Sequence, residues 1–206
     1  MNDTNNTVEQ ALRSGAPPEP EAWERVRRGL TVRAVADGLV DVAFQRHDSP
    51  LGSILLGATT EGVVRVGLPS EDEDGLLEEL ARRVSSRVLF APRDAATRAR
   101  RQLDEYFNAQ RHAFDLTLDW RLTAGFRREV LRATAQIPYG QTASYRRVAT
   151  EAGSPAAVRA AGTALATNPL PILVPCHRVL RSDGTLGAYR GGLEAKAQLL
   201  GLEGAV

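Results

Sequence analysis

The chain has 206 residues, of which 43% are hydrophobic and 25% charged, and its formal net charge is +1. This composition is typical of a soluble globular protein of one or two domains that buries a sizeable core. No apolar run approaches the ~20 residues that cross a membrane. Residues 1–6 also lack the basic and then apolar pattern of a secretory signal. We therefore expect a cytoplasmic protein.

The cysteine, the histidines and the distribution of charge indicate which disulfides, metal sites and partners the chain can have. The only cysteine, Cys176, excludes an internal disulfide, and no zinc-ligand spacing joins it to the histidines, which are His47, His112 and His177. Residues 1–118 carry 15 Arg and 19 acidic residues, a net charge of −4, whereas residues 119–206 carry 10 Arg, 1 Lys and 6 acidic residues, a net charge of +5. A basic second half indicates either a polyanionic partner such as nucleic acid or simply a surface whose arginines face water. We expect no metal site.

The chain begins with a polar leader, residues 1–36, an N-terminal extension to which we assign no function. Its proline-rich residues 16–20 predict a stiff linker, and residues 21–30 predict one short helix.

A mixed domain is expected over residues 37–118. Three segments of β-forming side chains, separated by turn signals, predict an antiparallel meander; they are 39–45, 52–59 and 62–68. Two amphipathic patterns, 72–84 and 94–107, predict helices that cover this sheet.

The remaining residues, 119–206, are expected to be mostly helical. Residues 125–136 predict one helix, and Ser144 can cap a second, over 145–150. Ser154 and Pro155 suit the start of a third, over 155–166, which is rich in alanine and glycine. The last two helices form a helix-turn-helix candidate. The third either packs tightly on a neighbour or allows another molecule close to its backbone.

Cys176 lies in an unusual setting. Pro169, Pro171 and Pro175 precede it and stiffen the backbone, and His177 follows it directly. A lone cysteine in an apolar run is often a small buried hydrophobic residue. Basic neighbours favour the thiolate, which is the nucleophilic form. Both interpretations stay open on this segment alone.

A set of motifs is more specific. In chain order it consists of Ile137-Pro138-Tyr139-Gly140-Gln141-Thr142, Ser144-Tyr145, Arg159, Asn168-Pro169, Pro175-Cys176-His177-Arg178-Val179 and Gly187-Ala188-Tyr189-Arg190-Gly191-Gly192-Leu193. This set closely resembles the O6-alkylguanine-DNA alkyltransferases. The resemblance is strong over residues 126–204 and weaker over 40–118, and the leader has no usable counterpart. It implies an α/β fold of the α+β kind: a ribonuclease-H-like N-terminal domain with an antiparallel sheet and helices, then a mostly helical domain with a helix-turn-helix.

The resemblance also implies a function. A protein of this family repairs DNA by flipping O6-alkylguanine out of the duplex and transferring the alkyl group irreversibly to a cysteine, here Cys176. The main substrate would be O6-methylguanine, with O4-methylthymine as a second one. The family binds double-stranded DNA through the minor groove, and each molecule acts once. The resemblance implies a monomer without a cofactor.

The catalytic roles carried over by the resemblance concern five residues. Cys176 would lose its proton through a water molecule to His177, which Glu203 orients. Tyr145 would donate its hydroxyl hydrogen to the guanine as the alkyl group leaves. Asn168 would attach the active-site turn to the second helix of the helix-turn-helix.

Further residues match the family's binding surfaces. Pro171 and Val179 would form pocket walls, and Tyr189, Arg190 and Gly191 a loop beside the flipped base. In that loop the N–H of residue 190 would bind O6, and the carbonyls of Cys176 and Val179 would accept from the guanine amino group. Arg159 would fill the gap left by the base. Other DNA contacts are expected at Ser144, Ala160 and Thr163.

Three alternatives remain beside this interpretation. A non-catalytic lesion-recognition protein would keep the DNA surface, but such relatives replace the cysteine. A sensor that activates transcription normally carries an additional cysteine-rich domain. A cysteine hydrolase needs an oxyanion site and has no use for Arg159 on a helix-turn-helix. Two departures from the family are the missing zinc cysteines of some relatives and Ala166, where some relatives have a basic residue.

Overall fold

The computed structural model describes residues 19–205 of the chain. The predicted linker falls largely outside these residues. The elements in chain order are α1 (Pro20–Ala36), β1 (Val42–Ser49), β2 (Gly52–Ala58), β3 (Val63–Gly67), α2 (Glu73–Arg83), β4 (Val88–Phe90), α3 (Asp94–Phe107), α4 (Gly125–Ala135), β5 (Ala143–Ser144), α5 (Tyr145–Glu151), α6 (Val158–Ala166), β6 (Val179–Leu180) and α7 (Gly192–Leu202). Within residues 19–205, every helix is too short or too polar to cross a membrane.

A four-stranded sheet in the order β3-β2-β1-β4 forms the centre of the N-terminal half. The predicted meander is present, because β1, β2 and β3 pair antiparallel in succession. A fourth strand, β4, was not predicted, and it pairs parallel to β1, so the sheet is antiparallel only over β1–β3. With three residues, β4 is too short to show an alternating pattern in the sequence.

Helices α2 and α3 lie close to their predicted bounds. Asp72 caps α2 by accepting a hydrogen bond from the backbone N–H of Gly75 at 2.9 Å. In α3, apolar side chains at helical spacing are buried against the sheet, and they include Leu103 and Tyr106. This packing fixes the position of Tyr106, which reaches the site described below.

The leader helix α1 is longer than the predicted 21–30 and begins at Pro20, a residue suited to the first turn. Near its C-terminal end, Ala34 and Val35 pack against Val40, Ala43 and Ala91. The C-terminal end of α1 is thus packed against the sheet.

The C-terminal half contains the predicted helix-turn-helix, formed by α5 and α6. Ser144 caps α5 by accepting from the N–H of Arg147 at 3.1 Å. The predicted start of the second helix at Pro155 is wrong, because α6 begins at Val158. The N–H of Ser154 bonds back to Ala149 at 2.9 Å, and Gly153 adopts φ +85°, so Ser154 closes α5 and does not cap α6.

Helix α7 and the strands β5 and β6 were also not predicted, and they shape the site. Helix α7 ends at Leu202 and carries Glu203 at its C-cap. Strands β5 and β6 pair in parallel, with Ser144 opposite Leu180. This pairing places the start of α5 beside the segment that follows Cys176.

Candidate active site

Cys176 begins a single 3₁₀ turn, Cys176–Arg178. The backbone at the sulfur is therefore a turn and not an extended chain. The turn before it contains Ile172, which is fully buried and has φ 71°. A β-branched residue with positive φ is strained, and such strain persists only where the surroundings over-determine it. The approach to the sulfur is thus held by packing as well as by proline.

The Cys176 thiol is buried, with a residue exposure of 4%. Asn168 Nδ2 donates to Cys176 Sγ at 3.2 Å and to the carbonyl of Val174 at 3.0 Å. Its Oδ1 accepts from the N–H of Leu170 at 2.9 Å. Burial raises the pKa of the thiol to about 11, although the Asn168 hydrogen bond opposes this by favouring the thiolate. The free protein therefore holds a neutral thiol at pH 7.

A buried carboxylate, Glu203, organises the residues after Cys176. Its oxygens accept two hydrogen bonds from the Arg178 guanidinium, both at 2.8 Å, and one from the Tyr106 hydroxyl at 2.6 Å. His177 Nε2 lies 2.9 Å from Glu203 Oε1. These charged and polar donors hold the pKa of Glu203 at about 2 despite its burial.

The Glu203 carboxylate also determines the tautomer of His177. An ionised carboxylate only accepts hydrogen bonds, so Nε2 carries the hydrogen and Nδ1 keeps the free lone pair. Nδ1 is buried and has no hydrogen-bond partner among residues 19–205. Burial lowers the pKa of His177, so the ring is neutral at pH 7 and its Nδ1 can accept a proton.

Tyr145, in the first turn of α5, is half-buried between two glycines. A Cβ added at Gly187 would collide with the Tyr145 hydroxyl, and one at Gly162 would lie 3.9 Å from its ring. Glycine at 187 is therefore required for the observed position of this ring. Burial raises the pKa of Tyr145, which keeps its hydroxyl protonated as a hydrogen-bond donor.

The predicted pocket residues surround this cluster. Pro171, Val179 and Tyr189 are buried, whereas Arg190 and Gly191 are partly exposed. The Tyr189 ring lies edge-on to His177, with centroids 6.3 Å apart, and its hydroxyl has no protein partner within the described part of the chain.

Lys196 is a site residue that the sequence interpretation missed. Its side chain is fully buried, and Nζ donates to the carbonyls of Val179 at 2.6 Å and Gly187 at 3.3 Å. Burial lowers the pKa of Lys196 to about 8. It therefore joins the pocket wall at Val179 to Gly187, the glycine that packs against Tyr145, and it occupies one lone pair of the Val179 carbonyl expected to bind guanine. The available signal was its position as the only lysine of the chain, in an apolar helix.

The predicted DNA-contact residues lie apart from the buried cluster. Arg159, Ala160 and Thr163 are on the exposed side of α6, whose opposite side buries Ala161 and Leu165. Ser144 is partly exposed at the start of α5.

Two family models match the chain. Residues 42–120 match the ribonuclease-like domain of 6-O-methylguanine DNA methyltransferase, and residues 125–205 match its DNA-binding domain. These ranges define a two-domain protein of the class that combines a ribonuclease-like domain with a DNA-binding domain carrying the cysteine.

Individual relatives agree with the models. The inducible methylated-DNA–protein-cysteine methyltransferase of Bacillus subtilis is 37% identical over 72% of this chain and 82% of its own length. The enzyme of Methanosarcina barkeri is 38% identical over 76% and 93%. The crystal structure of the Mycobacterium tuberculosis O6-methylguanine methyltransferase has a TM-score of 0.68 and 34% identity, covering 80% of this chain and 93% of that one. The chain belongs to the O6-methylguanine-DNA methyltransferase family.

The regulatory protein Ada of Salmonella typhimurium extends the comparison into the leader. It is 35% identical over 91% of this chain, but the match spans only 54% of Ada. Residues 37–206 are too few to make up 91% of 206 residues, so part of the leader is aligned. Part of the leader therefore has an aligned counterpart in Ada, while its role stays unassigned.

Proposed function

We propose that this protein repairs O6-alkylguanine, chiefly O6-methylguanine, in double-stranded DNA by transferring the alkyl group to its own Cys176. O4-methylthymine is a second substrate of the same pocket. The protein acts as a monomer in the cytoplasm, once per molecule, and needs no cofactor. Its N-terminal extension precedes a ribonuclease-H-like domain at 37–118 and a catalytic domain at 119–206.

The observation that carries this proposal is the arrangement of Asn168, Cys176, His177 and Glu203. A thiol whose pKa is about 11 needs a base before it can attack. The adjacent residue, His177, offers an Nδ1 lone pair that no other described residue occupies, and Glu203 would stabilise the imidazolium that forms. A water molecule between Sγ and Nδ1 would carry the proton, because the described residues show no direct bond between these groups.

The transfer then balances as a single displacement. The Cys176 thiolate forms a bond to the alkyl carbon as that carbon's bond to guanine O6 breaks, and the electron pair stays on the guanine. The Tyr145 hydroxyl donates to the guanine and offsets its developing charge, and the N–H of Arg190 donates to O6. The product is a thioether, so the thiol is consumed.

DNA binding is supported by the surface of α6. The exposed small side chain of Ala160 allows close approach of the backbone to a groove, and Arg159 projects from the same face. Arg146, Arg159 and Arg181 are exposed and form no ion pair within residues 19–205, so they remain available for phosphates. A crystal structure of Mycobacterium tuberculosis OGT in complex with DNA has a TM-score of 0.68 and 33% identity to this chain.

We propose minor-groove docking with the damaged base flipped into the pocket and Arg159 in the gap. The alkyl group on O6 lies inside the base stack, so the buried sulfur can reach it only after the nucleotide leaves the duplex.

The test is the intact mass of the protein after incubation with a duplex that contains one O6-methylguanine. We expect a gain of one methylene unit, at one site, and no gain for Cys176→Ser. Selective binding of the same duplex without any mass gain would instead establish a lesion-recognition protein.

A further inference from the structure

Besides the hydrogen bond from Tyr106 to Glu203, the ribonuclease-like half contacts the candidate active site through a polar cluster. We call it the Glu71 cluster; it consists of Arg65, Glu71, Glu79 and Arg190. Arg65 belongs to β3, Glu71 to the loop after it and Glu79 to α2, whereas Arg190 lies in the pocket loop of the other half. The cluster therefore joins the two halves beside the reacting groups.

Glu71 is at the centre of this cluster. Its carboxylate lies 2.5 Å from Arg65 Nη2 and 3.2 Å from Arg190 Nε, and it also accepts from the N–H of Leu68 at 2.9 Å. The side chain of Arg65 is 1% exposed and that of Glu71 is 12% exposed. A carboxylate held this way between two guanidinium groups has little freedom, so it fixes Arg190 in turn.

Arg190 also contacts the turn that holds the Cys176 thiol. Its Nη1 donates to the carbonyl of Asn168 at 3.2 Å, and Asn168 donates from its own side chain to Cys176 Sγ. From the ribonuclease-like half, the N–H of Val66 and the Arg65 guanidinium both donate to the Pro169 carbonyl, at 2.8 and 3.4 Å. The 168–169 backbone is thus held from two directions.

The backbone of the pocket loop is held as well. Ser70 Oγ donates to the carbonyl of Arg190 at 3.2 Å. A Cβ at Gly191 would lie 2.9 Å from both Leu68 Cδ1 and the Tyr189 ring, so the loop packs against the first half without space to shift.

We propose that Glu71 is a positioning residue for alkyl transfer: through Arg190 it holds the Tyr189–Gly191 loop and the Asn168 turn in the geometry that the reaction needs. This rests on the proposed function, in which the N–H of residue 190 binds the leaving oxygen. A small displacement of such a donor costs much of the rate, although Glu71 itself touches neither substrate nor thiol. In this proposal the ribonuclease-like half affects the rate of alkyl transfer by positioning the pocket loop.

Two variants test this in the full chain. Glu71→Gln keeps the size of the side chain and removes its charge. In this variant the buried Arg65 still has an ion pair with Glu79, at 3.6 Å, so the fold should be preserved. Ser70→Ala removes only the hydrogen bond to the Arg190 carbonyl. The matched control is Glu73→Gln, which breaks an exposed ion pair with Arg46 nearby and away from the loop.

The first readout is the rate of benzyl transfer from free O6-benzylguanine, which involves no DNA contact. We expect Glu71→Gln to slow transfer about tenfold and Ser70→Ala about threefold, because donor placement is impaired. Glu73→Gln should be unchanged. Since Glu71 acts through Arg190, the double variant Glu71→Gln/Arg190→Gln should be no slower than Arg190→Gln alone. Wild-type rates in Glu71→Gln, or additive losses in the double variant, would overturn the proposal.

The second readout is amide hydrogen exchange of the free protein, which does not depend on alkyl transfer. Glu71→Gln should accelerate exchange in residues 187–193 and leave α6 unchanged, whereas a merely stabilising ion pair would accelerate both. If wild-type protein transfers no alkyl group, the proposed function fails. In that case the exchange measurement alone tests whether Glu71 positions the loop. Unchanged exchange in residues 187–193 of Glu71→Gln would refute the positioning role.

Discussion

Asn168 Nδ2 and Cys176 Sγ are 3.2 Å apart, and the amide hydrogen points at the only sulfur-bearing nucleophile of the chain. Asn168 lies just beyond the end of α6, the helix that presents the exposed arginine, Arg159. One side chain thus joins the surface proposed to bind DNA to the atom proposed to accept the alkyl group.

Asn168→Ala should slow alkyl transfer from free O6-benzylguanine. A hydrogen bond to a charged acceptor contributes about 1.5–3 kcal/mol, so losing it from the thiolate should reduce the rate at pH 8 about tenfold or more. The rate should also reach its maximum at a higher pH than in the wild type. Asn108→Ala, which removes an exposed amide bonded to Asp104, is the matched control. An unchanged pH profile would show that the amide does not stabilise the thiolate.

Arg159→Ala should slow repair of duplex DNA without slowing alkyl transfer from a free base. Unstacking a base costs a few kcal/mol, so losing the side chain that fills the gap should slow repair of a duplex about tenfold or more. The reaction with free O6-benzylguanine should be unchanged. Arg132→Ala, which removes an exposed arginine paired with Glu129 on α4, serves as control. Equal slowing on both substrates would reject the role in base flipping.

Gly187→Ala should displace the Tyr145 ring, because the new methyl group would occupy the position of its hydroxyl. Transfer should slow at least about tenfold on both the duplex and the free base, since a misplaced donor no longer meets the guanine. Gly201→Ala places a methyl group in open space on α7 and should leave the rate unchanged. Stopped-flow measurement of single turnovers gives both rates, and a wild-type rate in Gly187→Ala would remove Tyr145 from the mechanism.

Glu203→Gln should change how stability depends on pH. The pKa of Glu203 is about 2 in the folded protein and 4.5 ordinarily, so the folded state favours the ionised form. Its contribution is present above pH 4.5 and is lost as the pH falls toward 2, and it amounts to about 3 kcal/mol at neutral pH. The difference in free energy of unfolding between wild type and variant should therefore be largest at pH 7 and shrink at pH 3, as measured by urea unfolding. A difference that is equal at both pH values would contradict this assignment.

Several features of the fold could be predicted from local sequence. The strands of the meander, α3 and the cap at Ser144 depend on neighbouring residues only: alternation, helical spacing and a hydroxyl at the right position. The roles of Cys176 as nucleophile and His177 as base came only from the family resemblance and stay predictions, because the segment around Cys176 by itself left both interpretations open. The start of α6 was wrong because the Ser154 N–H is bonded to Ala149, a competition between two helix ends that a cap pattern does not reveal.

The amino-acid sequence by itself therefore determined which residues can carry the chemistry and which family the chain resembles. Tertiary structure alone decided their environment. The neutral thiol of Cys176, the tautomer of His177, the buried charge of Lys196 and the contact between Glu71 and Arg190 all arise from groups far apart in the chain. Burial and charge act over distances in space, and those distances exist only once helices, strands and loops from different parts of the chain have packed together.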